Sequence, residues 1–449
     1  MADGDGGVTQ PAASSSQFAL LTQRRFAPFF GAQFLGAFND NLFKTALVTA
    51  ITFDAAAWTD LNVGLLNNLI AGLFILPFVL ASATAGQIAD KTDKAFLMRA
   101  VKVMEIAIML VAAFGWAMHN LWLLVVAVVG MGLHSTIFGP VKHSYLPQHL
   151  NQQELIGGNG MVQMGTFVGI LTGQLLGAAA MALGSTGVTL IVVATIAVAV
   201  IGLLLTMMVP SSPPAAPDLI ISRNLFAEIG RNLRFSAGNR EVFIAMLANS
   251  WFWFFGAMIL AQFPVYARDV LRGAPEVFAI LLTAFSVGIG AGSLMCERLS
   301  GKRLHLGLVP IGAVGLSVFG VDLYVASAVT MPAQVTASDL LLGDRFRVLL
   351  DCFLLGGFGG IYVVPLFALI QTRSEPTHLS RTIGGMNILN ALFMVVAALI
   401  AMVLLTLGLS VPGIFLFTAL ANVVLLILLC SVQPEYLREA RRWFSERFS

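Results

Sequence analysis

The chain has 449 residues, of which 58% are hydrophobic and only 11% are charged. Soluble domains carry about 25% charged residues, so this composition excludes an ordinary soluble globular protein. The net charge of +2 identifies no partner by itself, and we predict no nucleic-acid partner, no cofactor and no metal.

The first 23 residues are rich in Gly, Ala, Ser and Gln. A cleavable secretory signal needs a charged leader followed by a short apolar core, and this segment lacks both. We predict a flexible cytoplasmic tail over residues 1–26.

Twelve long apolar runs follow, and each is close to the roughly 20 residues that an α-helix needs to cross the hydrocarbon core of a bilayer. We therefore predict an all-α integral membrane protein with twelve transmembrane helices. The runs lie near residues 27–53, 62–86, 96–118, 121–146, 158–183, 186–209, 241–267, 275–298, 305–328, 347–372, 382–408 and 411–432.

The loops between these runs differ in charge. Assigning them alternately to two sides of a membrane places 20 of the 25 Lys and Arg residues on the side of both termini. Four lie on the other side, and Lys44 lies within a span. Because positive residues accumulate in cytoplasmic loops, both termini are predicted to be cytoplasmic.

The first span is interrupted by Asn39, Asp40 and Asn41, with Lys44 one helical turn later. An uncompensated charge near the centre of a bilayer costs about 2.5–3.5 kcal/mol or more. Because positions i and i+4 share a helix face, we expect Asp40 and Lys44 to neutralise each other partly while pointing away from lipid. Intramembrane charges usually face a transport pathway, which predicts a binding site here; the alternative is a structural ion pair alone.

Further polar residues in the spans are predicted to line the same site. Lys142 lies near the cytoplasmic end of the fourth span, where it either faces the site or extends to the membrane interface. Polar residues also join membrane helices to one another, so each position has that second interpretation. Besides the four residues of the first span, the predicted substrate-binding set is Lys142, Glu105, His134, Gln163 and Gln262.

The longest polar interruption, residues 210–240, is predicted to link two six-helix halves at 27–209 and 241–432. Within it, residues 220–235 are predicted either to form a basic amphipathic helix on anionic lipid or to belong to a solvated linker. Residues 433–449 are predicted to form an amphipathic cytoplasmic tail that lies on the membrane surface.

Matching tight turns follow the second span of each half. Residues 86–94 read GQIADKTDK, and residues 292–303 read GSLMCERLSGKR. Each turn has a small residue, then an acid, then bases, and the acids Asp90 and Glu297 are 207 positions apart. This spacing predicts a parallel repeat of six helices.

The first of these turns resembles the signature of the major facilitator superfamily between helices two and three. Asp90 occupies its acidic position and Lys91 and Lys94 its basic ones, with Glu297 and Arg298 at the second copy. The resemblance implies that superfamily's fold of two six-helix halves. Asp90 can cap a neighbouring helix terminus while bases pair across the seam between the halves, which predicts a cytoplasmic latch.

Two longer segments resemble the lysophospholipid transporter family within that superfamily, which includes carrier domains fused to phospholipid acyltransferases. They are AQFLGAFNDNLFKTAL at residues 32–47 and FGPVKHSYLPQHL at residues 138–150. The resemblance implies a monomeric, flippase-like secondary transporter of lysophospholipids in the bacterial cytoplasmic (inner) membrane. It also implies alternating access and delivery to an inner-leaflet acyltransferase that restores the second chain.

A lysophospholipid carries a phosphate, often an ammonium group, and one acyl chain, so its site must be amphipathic. Asp40 suits an ammonium group, and Asn39 and Asn41 suit the glycerol hydroxyl. Lys44 or Lys142 suits the phosphate, while apolar walls accept acyl chains of different length.

Two other functions are weighed against this one. In a proton-coupled exporter of drugs or small polar metabolites, Asp40 would exchange a proton with substrate. A membrane-bound acyltransferase is disfavoured, because no His is followed five residues later by Asp, as glycerolipid acyltransferases require. We predict that the chain is not an enzyme.

Overall fold

The structure is a computed structural model that describes residues 16–54, 58, 61–222, 224–327, 335–343 and 345–448. Within this part of the chain, twelve helices have lengths from 20 to 30 residues. They are α1 Ala27–Phe53, α2 Val63–Lys91, α3 Lys94–Ala117, α4 Leu121–His149, α5 Gln152–Met181, α6 Ser185–Met208, α7 Arg240–Leu260, α8 Pro275–Leu299, α9 Leu308–Ser327, α10 Phe346–Arg373, α11 Leu379–Thr406 and α12 Val411–Val432.

Ten of these twelve helices, counted over the described residues, are long and apolar enough to cross a membrane. The two that do not meet this criterion are α1, which contains Asp40 and Lys44, and α3, which contains Lys102 and Glu105. The predicted all-α membrane architecture is confirmed. Both of these helices carry charged residues within their apolar stretches.

Polar side chains determine where several helices begin. Asn62, Asp93, Asn120 and Asn151 each accept a hydrogen bond from a backbone N–H in the first turn of the helix that follows. Asn151 also forms a capping box with Glu154. These contacts satisfy N–H groups that a helix end leaves unpaired, so they fix the starts of α2, α3, α4 and α5.

Glycines bring α1 and α5 into close contact. A Cβ atom added at Gly173 would lie 2.4 Å from the backbone oxygen of Phe38, and one at Gly177 would lie 2.6 Å from that of Leu42. The glycine ridge of α5 therefore packs directly on the backbone of α1. This packing fixes the polar segment of α1 against the rest of the N-terminal half.

The two halves meet through equivalent helix pairs. In one pair, a Cβ atom added at Gly384 of α11 would lie 2.4 Å from the backbone oxygen of Ser82 in α2. In the other, a Cβ atom added at Gly160 of α5 would lie 2.4 Å from the backbone oxygen of Ser293 in α8. Each pair joins the second helix of one half to the fifth helix of the other.

Besides the three-residue 3-10 helix Pro376–His378, three shorter helices lie at the end of the bundle that carries both ends of the described chain, called the terminal side below. They are the N-terminal 3-10 helix Gln17–Thr22, the linker helix Leu225–Gly238 and the C-terminal helix Glu435–Phe448. The linker helix starts at Leu225 because the side chain of Asn224 accepts a hydrogen bond from the N–H of Ala227.

Part of the predicted flexible tail forms regular structure. Gln17 is buried, and its backbone N–H donates to the carboxylate of Glu297 at 3.1 Å. Arg25 pairs with Glu154 at 2.6 Å. These long-range polar contacts fix residues 16–26 against both halves, and sequence patterns do not show them; residues 1–15 lie outside the described part of the chain.

Candidate functional site

A cavity of ≈ 400 Å³ lies between the two halves. Its N-terminal wall, built by α1, α4 and α5, is polar, whereas aromatic and aliphatic side chains predominate elsewhere. The polar lining is Gln33, Asp40, Asn41, Lys44, His134, Ser135, Lys142, His143, Gln163, Thr166, Gln174, Asn387 and Asn390. The apolar lining includes Phe74, Ile75, Phe78, Phe138, Ile170, Trp253, Phe367 and Met394.

Three consecutive polar residues of α1 point in different directions, because each residue turns the helix by about 100°. Asp40 and Asn41 face the cavity. Asn39 is fully buried behind it, where its amide donates to Glu105 at 2.6 Å and to the backbone oxygen of Thr195 at 3.2 Å. Asn39 therefore contacts the interior of the N-terminal half rather than the cavity.

Asp40 makes its contacts with α4. One carboxylate oxygen accepts a hydrogen bond from the hydroxyl of Ser135, and the other lies 3.9 Å from Nδ1 of His134. Lys44 turns instead toward α2, where its Nζ lies 4.4 Å from the centroid of the Phe74 ring. The expected Asp40–Lys44 pair is therefore replaced by two separate contacts, because α4 and α2 offer each side chain a nearer partner.

A second layer of charge lies behind the cavity wall. Glu105 is fully buried and lies 2.5 Å from Nζ of Lys102 and 3.1 Å from Nε2 of His134. His134 thus stands between Glu105 and the cavity-facing Asp40. Sequence reasoning missed Lys102, although its spacing of three residues from Glu105 in an apolar helix places both on one face.

Glycines provide the space that Lys102 occupies. A Cβ atom added at Gly36 of α1 would lie 3.1 Å from Nζ of Lys102, and one at Gly202 of α6 would lie 3.3 Å from it. Lys102 therefore reaches between α1 and α6 to meet Glu105. This arrangement fits a buried ion pair that helps to hold four helices of the N-terminal half together.

Lys142 faces the cavity, not the membrane interface. Its Nζ lies 3.4 Å from the hydroxyl of Thr166, which donates to Oε1 of Gln33 at 3.0 Å. Gly139 and Pro140 precede it in α4, and α4 remains helical through both. The sequence did not indicate Thr166, Gln33 or Ser135 as cavity residues. A single polar residue in an apolar helix does not show which face of the helix lines a cavity.

The predicted substrate-binding residues fall into three groups. Asp40, Asn41, Lys44, His134, Lys142 and Gln163 line the cavity. Asn39 and Glu105 are buried behind its wall. Gln262 is outside it, because α7 ends at Leu260 and Gln262 begins the short turn that follows.

Asp90 joins the two halves through a partner that the sequence did not indicate, and its role as a latch stays a prediction. It is fully buried, and its carboxylate accepts hydrogen bonds from the N–H groups of Ser380 and Arg381 at 3.0 and 3.3 Å. The guanidinium Nε of Arg381 donates to it at 3.0 Å. Asp90 of one half therefore caps the first turn of α11 in the other half.

The predicted basic partners of the latch lie elsewhere. Lys91 is exposed, and Lys94 is buried at the start of α3, where its backbone N–H donates to the oxygen of Ser212 at 3.1 Å. The base that crosses the seam is Arg381, which lies 291 positions from Asp90. Local spacing cannot indicate a partner at that distance along the chain.

The second copy of the turn is arranged differently. Glu297 accepts the backbone N–H of Gln17, whose side chain donates to the backbone oxygen of Leu294 at 2.9 Å. A Cβ atom at Gly157 of α5 would lie 2.8 Å from Cβ of Gln17. The N-terminal 3-10 helix thus fills the seam, while the neighbouring Arg298 is exposed.

Further polar contacts close the seam on the terminal side. The side chain of Asn159 donates to that of Gln371 at 2.5 Å, and Gln371 donates to the backbone oxygen of His143 at 2.8 Å. The hydroxyl of Ser380 donates to that of Ser144 at 2.9 Å. Among the described side chains, the hydrogen bonds that join the halves lie at this end, so the two halves are closed together there.

Comparisons with known proteins agree with this architecture. Residues 15–343 match the family model described as "Transmembrane secretion effector". The chain is 24% identical to the lysophospholipid transporter LplT of Cronobacter sakazakii over 396 residues, covering 83% of this chain and 85% of that protein. It is 25% identical to LplT of Salmonella paratyphi B over 365 residues, covering 77% and 78%.

Solved structures share the fold at low sequence identity. The human organic anion transporter MFSD10 is 14% identical, with a TM-score of 0.71 and coverage of 90% of this chain and 99% of that one. The major facilitator superfamily transporter FucP in the outward conformation is 14% identical, with a TM-score of 0.70 and coverage of 91% and 98%. The chain therefore belongs to the transmembrane secretion effector family of major facilitator transporters.

Proposed function

We propose that this protein is a secondary transporter that moves lysophospholipids across the bacterial cytoplasmic membrane by alternating access. The curated relatives, which are lysophospholipid transporters, support this substrate class. The proposal places both termini in the cytoplasm, because most of the Lys and Arg residues are in loops on that side.

The observation that carries the proposal is a cavity that holds two lysines together with aromatic walls. Lys44 and Lys142 line it together with Trp253 and Phe367. A lysophospholipid needs cations for its phosphate and apolar surface for its single acyl chain. The charge and apolar surface of the cavity meet both needs, and a small polar metabolite would use only the first.

The distribution of charge identifies which groups are available to the head group. Glu105 lies against Lys102 and His134, and Asp40 contacts Ser135 and His134. Lys44 contacts an aromatic ring and Lys142 contacts a hydroxyl. We assign the phosphate to Lys44 and Lys142. Each lysine binds a phosphate more strongly than it binds its present partner, an aromatic ring or a hydroxyl, so the phosphate can replace that partner. Asp40 and Asn41 then face the ammonium or glycerol part.

The transport cycle starts from the conformation in which the terminal side is closed. Lipid enters the cavity laterally between helices from the outer leaflet, and its head group engages the lysines. The halves then rock, which requires the contacts of Asp90 with α11 and of Glu297 with Gln17 to break. The transporter works as a monomer and releases the lysophospholipid into the inner leaflet. An acyltransferase there restores the second acyl chain.

Uptake into proteoliposomes tests this proposal. Purified protein is reconstituted with and without a proton gradient, and transfer of radiolabelled lysophosphatidylethanolamine is compared with that of monoacylglycerol, which lacks phosphate. We expect saturable transfer of the phospholipid alone, with a rate at least tenfold above protein-free vesicles. A rate equal to that of protein-free vesicles would refute the proposal.

A proton-coupled exporter of small polar compounds is the second candidate. It is favoured by the position of His134, which lies between the two carboxylates Asp40 and Glu105. A pH-sensitive dye trapped in the same vesicles separates the two functions. Saturable transport of a water-soluble compound with proton flux and without lipid transfer supports the exporter; lipid transfer without proton flux supports the lysophospholipid carrier.

A further inference from the structure

The C-terminal helix is docked on the bundle through one face. Tyr436 is buried, and the carboxylate of Glu439 accepts the backbone N–H of Leu306 at 2.5 Å. The indole N–H of Trp443 donates to the backbone oxygen of Leu299 at 2.7 Å. These contacts attach the helix to the loop between α8 and α9 and fix which of its faces points away from the protein.

The outward face combines arginines with apolar surface. Arg438, Arg441 and Arg442 are exposed, and Leu437 is 40% exposed. Leu437 and Arg441 are four residues apart, as are Arg438 and Arg442, so each pair lies on the same side of the helix. The protein therefore holds three guanidinium groups beside an apolar side chain in a fixed orientation.

The depth of the C-terminal helix in the membrane follows from its continuity with α12. Two residues separate α12 from the C-terminal helix. The last turns of α12 expose Ile427, Leu428 and Val432 by 60%, 55% and 44%, as expected for a lipid-facing stripe. That stripe leads directly to Leu437, so the helix lies where the hydrocarbon core meets the head groups. At this depth, arginine side chains reach the lipid phosphates while their stems remain among apolar groups.

We infer that the C-terminal helix is a binding surface for anionic phospholipid head groups, with Arg438, Arg441 and Arg442 contacting the phosphates. Charge complementarity favours an anionic ligand. The exposed Leu437 and the lipid-facing stripe of α12 favour a lipid over an acidic protein or a soluble phosphate compound. This surface is separate from the cavity, so it concerns the surrounding lipid and not the transported one.

Native mass spectrometry of the full chain tests this inference. The detergent-solubilised protein is mixed with equal amounts of phosphatidylglycerol and phosphatidylcholine that carry the same acyl chains. Each basic residue near an anionic surface contributes about fivefold to binding, from about 1 kcal/mol per residue. We expect the wild type to retain phosphatidylglycerol preferentially and the R438Q/R441Q/R442Q variant to retain at least tenfold less, with phosphatidylcholine unchanged.

Two controls separate charge from structure. The R438K/R441K/R442K variant keeps the charges and is expected to keep the preference for phosphatidylglycerol, because a lipid surface accepts either cation. The R272Q/R345Q variant removes two arginines from the opposite end of the bundle and is also expected to keep it. Arg272 lies between α7 and α8, and Arg345 directly precedes α10. Equal retention by the wild type and the glutamine variant would overturn the inference. Displacement of phosphatidylglycerol by equimolar glycerol phosphate would also overturn it. A lysine variant that loses the preference for phosphatidylglycerol while its Tm is unchanged would do the same.

Discussion

At the scale of single residues, the N-terminal half holds its charges in two layers. Lys102 and Glu105 form the inner layer, with both side chains excluded from solvent. Asp40, Lys44 and Lys142 form the outer layer and face the cavity. The inner layer is therefore withdrawn from the cavity, while the outer layer is available to a ligand.

Replacing one partner of the inner pair is expected to destabilise the protein strongly. Lys102→Met leaves Glu105 buried without its lysine, and breaking a buried ion pair typically costs about 3–5 kcal/mol. We expect a fall in Tm in detergent for Lys102→Met and a partial recovery in the Lys102→Met/Glu105→Met double variant, which removes both charges. Additive losses in the double variant would show that the two residues do not act as a pair.

At the scale of helices, close packing of α5 on α1 positions the cavity wall. Gly173→Ala would place a Cβ atom 2.4 Å from the backbone oxygen of Phe38, so α1 must shift. We expect lower Tm and reduced lysophospholipid uptake. The matched control is Gly256→Ala in α7, where an added Cβ atom meets nothing within 4 Å. Because Ala favours a helix more than Gly does, the control is expected to keep or raise Tm. An equal fall in Tm for both substitutions would contradict the packing explanation.

The contact between α2 and α11 is expected to control access from the terminal side. Asp90→Ala removes three hydrogen bonds to Ser380 and Arg381, which favours opening of the seam. A cysteine introduced at Ser144, which is buried there, reports the opening through its reaction with a membrane-impermeant maleimide. We expect labelling at least tenfold faster in the Asp90→Ala background.

The control for this experiment is Lys91→Gln, which changes an exposed residue of the same turn. Labelling as slow as in the wild-type background is expected. If Asp90→Ala and Lys91→Gln label at the same rate, the seam does not depend on Asp90.

The sequence predicts the helices well and their partners poorly. Apolar runs locate the spans, because this signal is local. Arg381, the partner of Asp90, lies far away along the chain. Residue spacing along the sequence therefore cannot predict this pair. The expected Asp40–Lys44 pair differs from the structure for the same reason: helical periodicity places two residues on one face, but neighbouring helices decide what each one contacts.

At the scale of the whole molecule, the two halves are closed together on the terminal side around a cavity that both of them line. The two seams are equivalent in helix pairing but differ in detail. Asp90 caps α11 directly, whereas Glu297 binds Gln17 of the N-terminal 3-10 helix. Opening toward the terminal side would therefore require the N-terminal segment to leave α8 as well as the halves to separate.

The most direct test concerns phosphate recognition by the cavity. Uptake of lysophosphatidylethanolamine is measured in proteoliposomes for the wild type, Lys142→Gln and Lys91→Gln, of which the last removes an exposed lysine. A hydrogen bond to a charged group is worth about 1.5–3 kcal/mol. We therefore expect KM to rise at least tenfold for Lys142→Gln and to stay unchanged for Lys91→Gln. Unchanged KM in Lys142→Gln would contradict the assignment of the cavity as the lysophospholipid site.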